Sequence, residues 1–391
     1  MSRSIAVGID IGTYQTKVVI AEADRNNERL VPRVIGVGYA ESKGLRHGYI
    51  VSQSEVSKSI SQAVAQAEKM SGIEVKRAIF SVGGIGLSGV TSSGMAVISR
   101  ADYEITDLDL QKSIDASQSE IPQAQIANRR IIHTVPINFR IDGKQVFGNP
   151  VGMKGMRLES KTFFVTCLNH HYGDIIEAAA EADIGVEEII ASPMAASVVT
   201  LSKAQKIAGC VLCNIGSETV SIIVYEDNKP ISLEIFPLGG NDITNDIALG
   251  LRIPLEEAEE VKKGSIVGVS YPRKKLDEII SARLSDIFEL IEAHLKKIGK
   301  NNLLPAGIII TGGGSSIEMI ENLAKNSLKL PSRIGTISFG EGAKGQIKDA
   351  SWSVAYGLCL IGLTNNGDEN GVNPLTGIGK GFVNWLKQFL P

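Results

Sequence analysis

Three short apolar runs and one amphipathic segment make up the start of the chain. The runs, Ile5–Ile9, Thr16–Ala21 and Val34–Ala40, are rich in β-branched residues, which is typical of buried strands. From Ser54 to Ser71 the apolar residues recur at helical spacing, so a helix is predicted there with Ser54 as its N-cap. The chain is therefore expected to begin in the order β-β-β-α.

The pattern changes between residues 83 and 161. Strand-like segments at Gly94–Ser99, His133–Arg140 and Leu158–Val165 surround a polar helix predicted between Asp107 and Gln118. Strands grouped around one helix are typical of a small α+β unit. We expect this unit to be inserted into the first domain.

Helix and strand patterns alternate again in the rest of the chain. A charge-rich helical region is predicted from Asp242 to His294, and within it Glu259 and Lys263 have the spacing of an i,i+4 ion pair. The other predicted elements are helices at Ile175–Ala182 and Ala195–Leu201, a hairpin of Ile215–Tyr225 and Pro230–Leu238 with its turn at Asp227 and Asn228, a strand at Gly307–Thr311, and an apolar helix ending near Leu363.

The composition of the 391 residues is that of an ordinary globular protein, with 43% hydrophobic and 21% charged residues. This length allows two or more domains with cores of their own. The net charge of −3 and the aromatic content of 5% argue against a nucleic-acid partner, which requires a basic surface or rings for stacking.

The cysteines and the apolar stretches bear on cellular location. Cys210 and Cys213 lie in an apolar run without a second pair downstream, so we interpret them as small buried hydrophobic residues rather than zinc ligands or a redox pair. The N-terminus enters a predicted strand almost at once, and no apolar stretch reaches the roughly 18–20 residues that span a bilayer. A cytosolic protein is expected.

Three glycine-bearing segments follow one another along the chain: Gly8–Ile20, Asn214–Val224 and Ile309–Ser315. Each joins a β-branched run to a glycine turn, as at the end of a buried strand. Glycine lets the backbone approach a ligand closely and leaves N–H groups free to bind phosphate. One such loop also occurs in ordinary hairpins, whereas three in this order indicate a nucleotide held between two related domains.

The first glycine segment offers a carboxylate and a lysine. Asp10 ends the predicted strand, Gly12 and Thr13 make the turn, and Lys17 follows. An aspartate at this position suits a hydrated Mg²⁺, which needs only one or two protein oxygens, and Lys17 can reach a phosphate. The alternative is a hairpin with a capping aspartate and a lysine on the surface.

The second and third glycine segments supply mainly backbone groups for binding a ligand. Gly216–Thr219 offer amide groups and the Thr219 hydroxyl, and Gly312–Gly314 allow the backbone to lie flat against a nucleoside. Glu259 and Lys262 lie three residues apart on a predicted helix, so both can point at one ligand. A solvated helix face is the alternative explanation for this pair.

The order of these loops resembles that of the actin/Hsp70/sugar-kinase ATPase superfamily, in which two phosphate loops precede an adenosine motif. More specifically, the chain resembles the FtsA family of bacterial cell-division proteins from about residue 5 to the C-terminus. The supporting segments are Ser42–Val51, Asn149–Ser160, Ala191–Ser197 and Gly239–Leu251, and the NPVGMKGMRLE within the second is highly specific. The resemblance implies an α/β, actin-like two-domain fold with a duplicated ribonuclease-H-like core, an inserted FtsA-type α+β subdomain 1C and a C-terminal amphipathic helix.

The resemblance also implies domain bounds. In the family's nomenclature these are 1A (1–82 and 162–206), 1C (83–161), 2A (207–240 and 303–345), helical 2B (241–302), a helix returning to 1A (346–363), a linker (364–377) and a membrane-targeting helix (378–391).

A set of ATP-binding residues follows from the same resemblance, with Mg²⁺ held through water by Asp10. They are Asp10, Gly12, Thr13, Tyr14 and Lys17 in phosphate loop 1 (residues 10–17), Gly216, Ser217, Glu218 and Thr219 in phosphate loop 2 (214–221), Gly239 and Gly240 in the next turn, Glu259 and Lys262 beside the adenosine, and Gly312, Gly313, Gly314 and Ser315 in the adenosine loop (312–315).

Phosphate loop 2 departs from the superfamily pattern. The usual sequence is DIGGGTTD, with a carboxylate at each end, whereas this chain reads NIGSETVS, with Asn214 and Ser221 at those positions. A neutral asparagine supports a hydrated cation and an attacking water less well than aspartate, so we expect slow ATP hydrolysis or none. Glu218 would repel phosphates that it faced; alternatively it points outward or partly replaces the missing carboxylate.

The last segment has the features of a helix that lies in a membrane surface. An apolar stripe, a tryptophan and two lysines suit an anionic leaflet, and the polar tract Thr364–Gly377 before it is expected to be a flexible linker. The alternative is a helix that packs back onto the protein, but FtsA proteins end in a membrane-targeting helix. The residues expected at the membrane are Phe382, Trp385, Leu386, Phe389, Leu390, Lys380 and Lys387.

The resemblance implies a peripheral protein on the cytoplasmic face of the cell membrane, at the division site. It would bind ATP, polymerise with copies of itself, tether FtsZ filaments to the membrane and contact other divisome proteins. Two alternatives are a catalytic ATPase, chaperone or phosphotransferase of the same superfamily and a PilM-like pilus-assembly adaptor. The weakened phosphate loop 2 counts against the first, and the tail together with NPVGMKGMRLE counts against the second.

Overall fold

The computed structural model describes residues 3–24, 32–264, 271–337, 347 and 349–365. Its strands are β1 (Arg3–Ile11), β2 (Gln15–Asp24), β3 (Arg33–Glu41), β4 (Leu45–Arg46), β5 (Tyr49–Ile50), β6 (Arg77–Val82), β7 (Leu87–Val97), β8 (Arg129–Ile141), β9 (Lys144–Val146), β10 (Arg157–Leu168), β11 (Gly185–Ala191), β12 (Cys210–Ile215), β13 (Val220–Glu226), β14 (Lys229–Phe236), β15 (Ile308–Thr311) and β16 (Ser332–Ile334). Its helices are α1 (Gln53–Ser71), α2 (Asp107–Ser119), α3 (Gln123–Ile126), α4 (Asn169–Glu181), α5 (Ser192–Thr200), α6 (Lys203–Ala208), α7 (Gly240–Leu251), α8 (Leu255–Lys262), α9 (Arg273–Lys297), α10 (Ile320–Leu328) and α11 (Ser353–Asn365).

Within the described residues, two five-stranded sheets share one topology. In the first, β1, β2 and β3 are antiparallel neighbours, and β6 and β11 continue from β1 in parallel. In the second, β12, β13 and β14 are antiparallel neighbours, and β15 and β16 continue from β12 in parallel. The repeated arrangement confirms the duplicated core that was predicted.

The unit predicted between the two halves of the first domain is present. An antiparallel sheet of order β7-β10-β8-β9 carries α2, and Ser160 of the sheet donates a hydrogen bond of 2.8 Å from its hydroxyl to Ser113 O of the helix. Helix α2 begins with a capping box in which Thr106 and Asp109 bond each other's backbone N–H groups. The α+β insertion is therefore confirmed.

Helices pack on the sheets of both domains. In the second, the described part of the helical region from Asp242 to His294 contains α7, α8 and most of α9, and its buried face joins the core of the β12 sheet. Residues 265–270 of this predicted region lie outside the described residues. The apolar helix predicted to end near Leu363 is α11, which packs on β1, β2 and α5 of the first domain. Because α11 continues to Asn365, the predicted linker cannot begin at Thr364. The rest of that linker and the whole predicted tail, residues 366–391, lie outside the described residues.

The N-cap predicted for α1 was wrong. The helix begins at Gln53, and its N-cap is Ser52, whose backbone is extended (φ −142°). Ser52 N donates to Gly44 O at 3.1 Å, so the chain is already held against the β4–β5 hairpin at this point. This tertiary contact starts the helix two residues earlier than the local pattern suggests.

The predicted burial of the cysteine pair is confirmed. Cys210 and Cys213 lie in β12 with side chains fully inaccessible, and burial raises the pKa of both thiols to about 12. They pack as small apolar side chains. Among the helices of the described part of the chain, none combines the length and apolar character needed to cross a membrane.

Candidate nucleotide site

A cleft between the two domains contains the predicted loops. Two adjoining cavities of about 120 and 330 Å³ share six lining residues, among them Lys17, Gly216 and Ser351. Phosphate loops 1 and 2 line the first cavity, and the adenosine loop and α8 line the second. The three glycine segments are thus brought together from positions about 100 to 300 residues apart.

Asp10 and Asn214 occupy equivalent places in the duplicated sheets. Each is the last residue but one of its strand, Asp10 in β1 and Asn214 in β12, and both line the first cavity. Their cross-strand neighbours are Lys17 and Ser221 respectively. The first domain therefore places a charged pair at the cleft, and the second places a neutral pair.

Lys17 is buried rather than on the surface. Its exposure is only 9%, which excludes the simple alternative of a hairpin with a surface lysine. Burial lowers the pKa of Lys17, and the nearby carboxylates of Asp10 and Asp349 oppose that shift. A cation held at the cleft floor in this way is placed to attract an anionic ligand.

The carboxyl group of Asp10 is fixed by a neighbouring strand. The Ser81 hydroxyl, at the end of β6, donates to Asp10 Oδ1 at 2.7 Å and accepts from Ile11 N at 3.3 Å. Burial raises the pKa of Asp10, and Lys17 and Ser81 oppose the rise. In the described residues no three His, Cys, Asp or Glu side chains are grouped to hold a metal. The single carboxylate fits a hydrated Mg²⁺ that takes its other ligands from water and phosphate.

Phosphate loop 2 is braced from behind by the start of α7. Gly240 N donates to Gly216 O at 2.9 Å, and Asn241 N donates to Ser217 O at 2.7 Å. Gly239 lies directly behind the loop, because a β-carbon there would be 2.5 Å from Ser217 O. Gly239 is not among the described residues that line either cavity, so its position supports the loop, whereas Gly240 reaches the second cavity.

One backbone amide of phosphate loop 2 is used within the loop. Gly216 N donates to Thr219 O at 2.9 Å, which closes the turn between β12 and β13. Thr219 itself lines the first cavity, as predicted for a donor to phosphate. The loop can therefore offer only part of the amide set that its sequence suggested.

The Glu218 side chain points at the first domain rather than into either cavity or into open solvent. Its Oε2 accepts a hydrogen bond from His47 N at 2.6 Å, and it is not among the described residues that line the cavities. His47 belongs to the turn between β4 and β5 of the first domain. Neither the repulsion of phosphate nor the replacement of the missing carboxylate describes its position.

The adenosine loop rests on Asn214 and Ile215. Gly312 has φ +86°, and a β-carbon there would overlap Asn214 Oδ1 and lie 2.5 Å from Ile215 O. Ser315 is buried and donates from its hydroxyl to Gly312 O at 2.7 Å, so it holds the loop. A β-carbon on Gly313 would meet no described atom within 4 Å, and this residue faces the second cavity.

Glu259 and Lys262 bond one another at the edge of the second cavity. Lys262 Nζ lies 2.6 Å from Glu259 Oε2 and donates to Thr244 Oγ1 at 2.8 Å, and the Thr244 hydroxyl donates to the same Glu259 oxygen at 2.6 Å. Burial alone would raise the pKa of Glu259, but the hydrogen bonds from Lys262 and Thr244 outweigh it and lower the pKa. The predicted i,i+4 pair of Glu259 and Lys263 is present at 3.3 Å. This arrangement differs from a plain solvated face, since Lys262 is largely buried.

Several residues of the cleft were missed by the sequence prediction. Gly83 and Gly84 follow β6 and line the first cavity, and Asp349, Ala350 and Ser351 line the second. The first pair is a fourth strand-to-glycine junction and could have been found by the same pattern. The segment before α11 has no comparable local signature, so only the folded chain reveals it.

The architecture and the cleft define a protein of the actin-like class. The structure is similar to the PilM–PilN type IV pilus biogenesis complex, with a TM-score of 0.68 and 15% identity over 92% of this chain and 98% of that one. It is also similar to MreB5 of Spiroplasma citri bound to ADP, with a TM-score of 0.51 and 14% identity over 94% and 99% of the two chains. At such identities the likeness shows the fold alone.

Sequence comparison defines the family within that class. The model of cell division protein FtsA matches residues 211–357, and the model of the SHS2 domain inserted in FtsA matches residues 84–166. The cell division protein FtsA of Borreliella burgdorferi is 30% identical over 92% of this chain and 91% of its own length, and that of Bacillus subtilis is 30% identical over 93% and 84%. The chain belongs to the FtsA family of cell-division proteins.

Proposed function

We propose that this chain is an actin-like, ATP-binding adaptor of cell division with weak or absent ATP hydrolysis. It polymerises and tethers FtsZ filaments to the inner face of the cytoplasmic membrane, where other divisome proteins join it. The observation that carries the nucleotide part is the cleft itself, in which two duplicated domains each present a loop and Lys17 lies buried between them. Membership of the FtsA family supports the role in division.

The cleft residues fit ATP and Mg²⁺ by their chemistry. Lys17 and Lys262 supply cationic groups, Asp10 supplies one carboxylate, and the glycine loops supply backbone that a ligand can approach. We assign the phosphates to the first cavity and the nucleoside to the second, where Gly313 is open. Bound Mg²⁺ would neutralise phosphate charge.

The weak hydrolysis follows from the neutral pair in the second domain. Asn214 and Ser221 face each other across β12 and β13 and both line the first cavity. Glu218, the one carboxylate of the loop, is bound to His47 instead. Phosphate loop 2 therefore has no carboxylate in the first cavity that could orient an attacking water.

Replacing Asn214 by aspartate should raise the rate of phosphate release at least about ten-fold, which corresponds to about 1.4 kcal/mol of barrier. The substitution returns a carboxylate to the site without changing the side-chain shape. Phosphate release is measured with saturating ATP and Mg²⁺. Asn241→Asp adds the same charge at the second cavity and should leave the rate unchanged. An equal rate in Asn214→Asp and the wild-type protein would show that the asparagine does not limit hydrolysis.

The tethering role is tested by co-sedimentation of FtsZ polymers with liposomes that contain anionic lipid. With this protein and ATP, FtsZ should pellet with the liposomes; without the protein it should stay in the supernatant. Trp385→Glu and Phe389→Glu place a charge on the apolar stripe of the tail and should abolish pelleting of the protein, whereas Gln388→Glu places it on the polar face and should not. FtsZ that stays in the supernatant while the protein itself pellets would reject the tethering role and favour a different adaptor, such as one for pilus assembly.

A further inference from the structure

Two residues of phosphate loop 2 reach across the cleft to the first domain. Ser217 and Glu218 stand where the superfamily pattern has glycines, so each adds a side chain at a position where that pattern has only backbone. The Ser217 hydroxyl lies 2.9 Å from the Thr13 hydroxyl of phosphate loop 1, although 204 residues separate them in the chain. This hydrogen bond joins the two phosphate loops directly.

Glu218 contacts His47 through two groups, its side-chain carboxylate and its backbone carbonyl. Its Oε2 accepts from His47 N at 2.6 Å, and its own carbonyl oxygen lies 3.1 Å from His47 Nδ1. A carboxylate that accepts from a backbone N–H forms one of the stronger hydrogen bonds in proteins. The two residues are 171 positions apart, and each lies in a different domain.

The partner loop is fixed firmly to the first domain. His47 O accepts from Ile85 N at 3.2 Å, which ties the turn to the segment after β6. Tyr49, two residues on, stacks on His170 with ring centres 5.8 Å apart and meets His171 edge-on at 5.2 Å, so α4 also holds it. A force on Glu218 is therefore transmitted to the body of the first domain rather than absorbed by a loose loop.

We propose that Ser217 and Glu218 form an interdomain clasp with Thr13 and His47 that holds the cleft closed by protein contacts alone. In a loop of glycines the hydroxyl and carboxylate contacts would be lost, and of these contacts only the one between His47 Nδ1 and the backbone carbonyl of residue 218 could remain. Closure would then depend mainly on a ligand that both domains bind. Here the side chains of Ser217 and Glu218 add one hydrogen bond each, to Thr13 and to His47, at the depth of the phosphate loops. The proposal concerns the closed state of the protein and does not rest on ATP being the ligand.

The clasp is tested by measuring the distance between the two domains in the full-length protein. Spin labels are attached to Lys58→Cys on α1 and Leu249→Cys on α7, which are exposed positions in different domains. The four native cysteines are buried and should not be labelled. Pulsed electron resonance then compares the wild-type loop with Ser217→Gly/Glu218→Gly, both without nucleotide.

The expected result is one narrow distance distribution for the wild-type loop and an open population at least about ten-fold larger for the glycine variant. Glu218→Gln keeps an acceptor but loses the charge, so it should open the cleft less than the double variant does. Ser316→Gly makes the same serine-to-glycine change in a cleft loop, but its hydroxyl bonds Gly313 O within the second domain, so it should not open the cleft.

Identical distributions for the wild-type loop and the glycine variant, with both proteins folded by circular dichroism, would overturn the clasp. Should the double variant fail to fold, an unchanged distribution in Glu218→Gln and in Ser217→Gly alone would overturn it equally. In a separate experiment, ATP and Mg²⁺ are added to the opened variant. If the cleft closes again, the result supports ATP as the ligand. If the cleft stays open, the result counts against ATP and leaves the clasp proposal unaffected.

Discussion

Alanine at position 312 should abolish nucleotide binding and destabilise the second domain by about 3 kcal/mol or more. Gly312 has φ +86° and ψ 177°, a backbone conformation essentially confined to glycine that costs an alanine of order 1–3 kcal/mol. In addition, the new methyl group would overlap Asn214 Oδ1 and lie 2.5 Å from Ile215 O. Since both neighbours belong to β12, the adenosine loop must move away from the strand that it rests on.

The loss of binding follows from the same displacement. The adenosine loop and phosphate loop 2 both line the cleft, and Gly312 is one of the points at which they touch. A shift of Gly312 moves the adenosine loop away from phosphate loop 2, so the two loops no longer enclose one ligand. We therefore expect the affinity for a fluorescent ATP analogue to fall at least about 100-fold, which corresponds to about 2.7 kcal/mol of binding free energy. Urea denaturation followed by circular dichroism measures the change in stability.

Gly143→Ala is the matched control for Gly312→Ala. Gly143 has φ +80° in the turn between β8 and β9, but a β-carbon there meets nothing within 4 Å among the described residues. This variant therefore measures the cost of an alanine at positive φ without a steric contact, roughly 1–2 kcal/mol, and should bind nucleotide normally. Equal losses of stability in the two variants would show that the contact of Gly312 with Asn214 contributes nothing.

The sequence was most informative where the structure depends on local patterns. The strands β1, β2 and β3 are β-branched runs, and the three glycine segments each follow a strand, so both could be predicted from neighbouring residues. β6 and β11 were missed for a physical reason. β6 is short and buried on both faces, so it shows no alternation, and the apolar pattern of β11 is interrupted by the polar pair Glu187 and Glu188.

The candidate site was predictable in its loops but not in its side-chain orientations. The positions of Asp10, Lys17 and the adenosine loop at the cleft follow from the resemblance and from strand order. The direction of Glu218 depends on its hydrogen bond to a turn of the other domain, 171 residues away in the chain. The residue that looked least compatible with bound phosphate is thus explained by a long-range contact.

Helix α11 was predicted from its local apolar pattern, but the reason for its glycines is visible only in the folded structure. Its apolar composition predicted a buried helix, and it is buried against β1, β2 and α5. Its two glycines, Gly357 and Gly362, argue against a helix on propensity alone. The structure gives the reason for the first: a β-carbon on Gly357 would overlap Ala195 O and lie 2.6 Å from Ala195 C, so the α5 backbone lies directly on it.

Gly357→Ala should therefore cost about 3 kcal/mol of stability, although alanine is the better helix former by about 1 kcal/mol. The methyl group meets backbone atoms of α5 that no side-chain rotation can move, so α5 and α11 must separate.

Gly173→Ala is the control. Gly173 lies within α4 with no described atom within 4 Å of where its β-carbon would be, so this variant should gain about 0.5–1 kcal/mol of stability. Urea denaturation measures the free energy of unfolding of both variants. We expect this free energy to fall for Gly357→Ala and to rise for Gly173→Ala, although the chemical change is the same. A stabilised Gly357→Ala would mean that α5 and α11 can move apart at little cost, and that the close contact of these helices does not hold the first domain together.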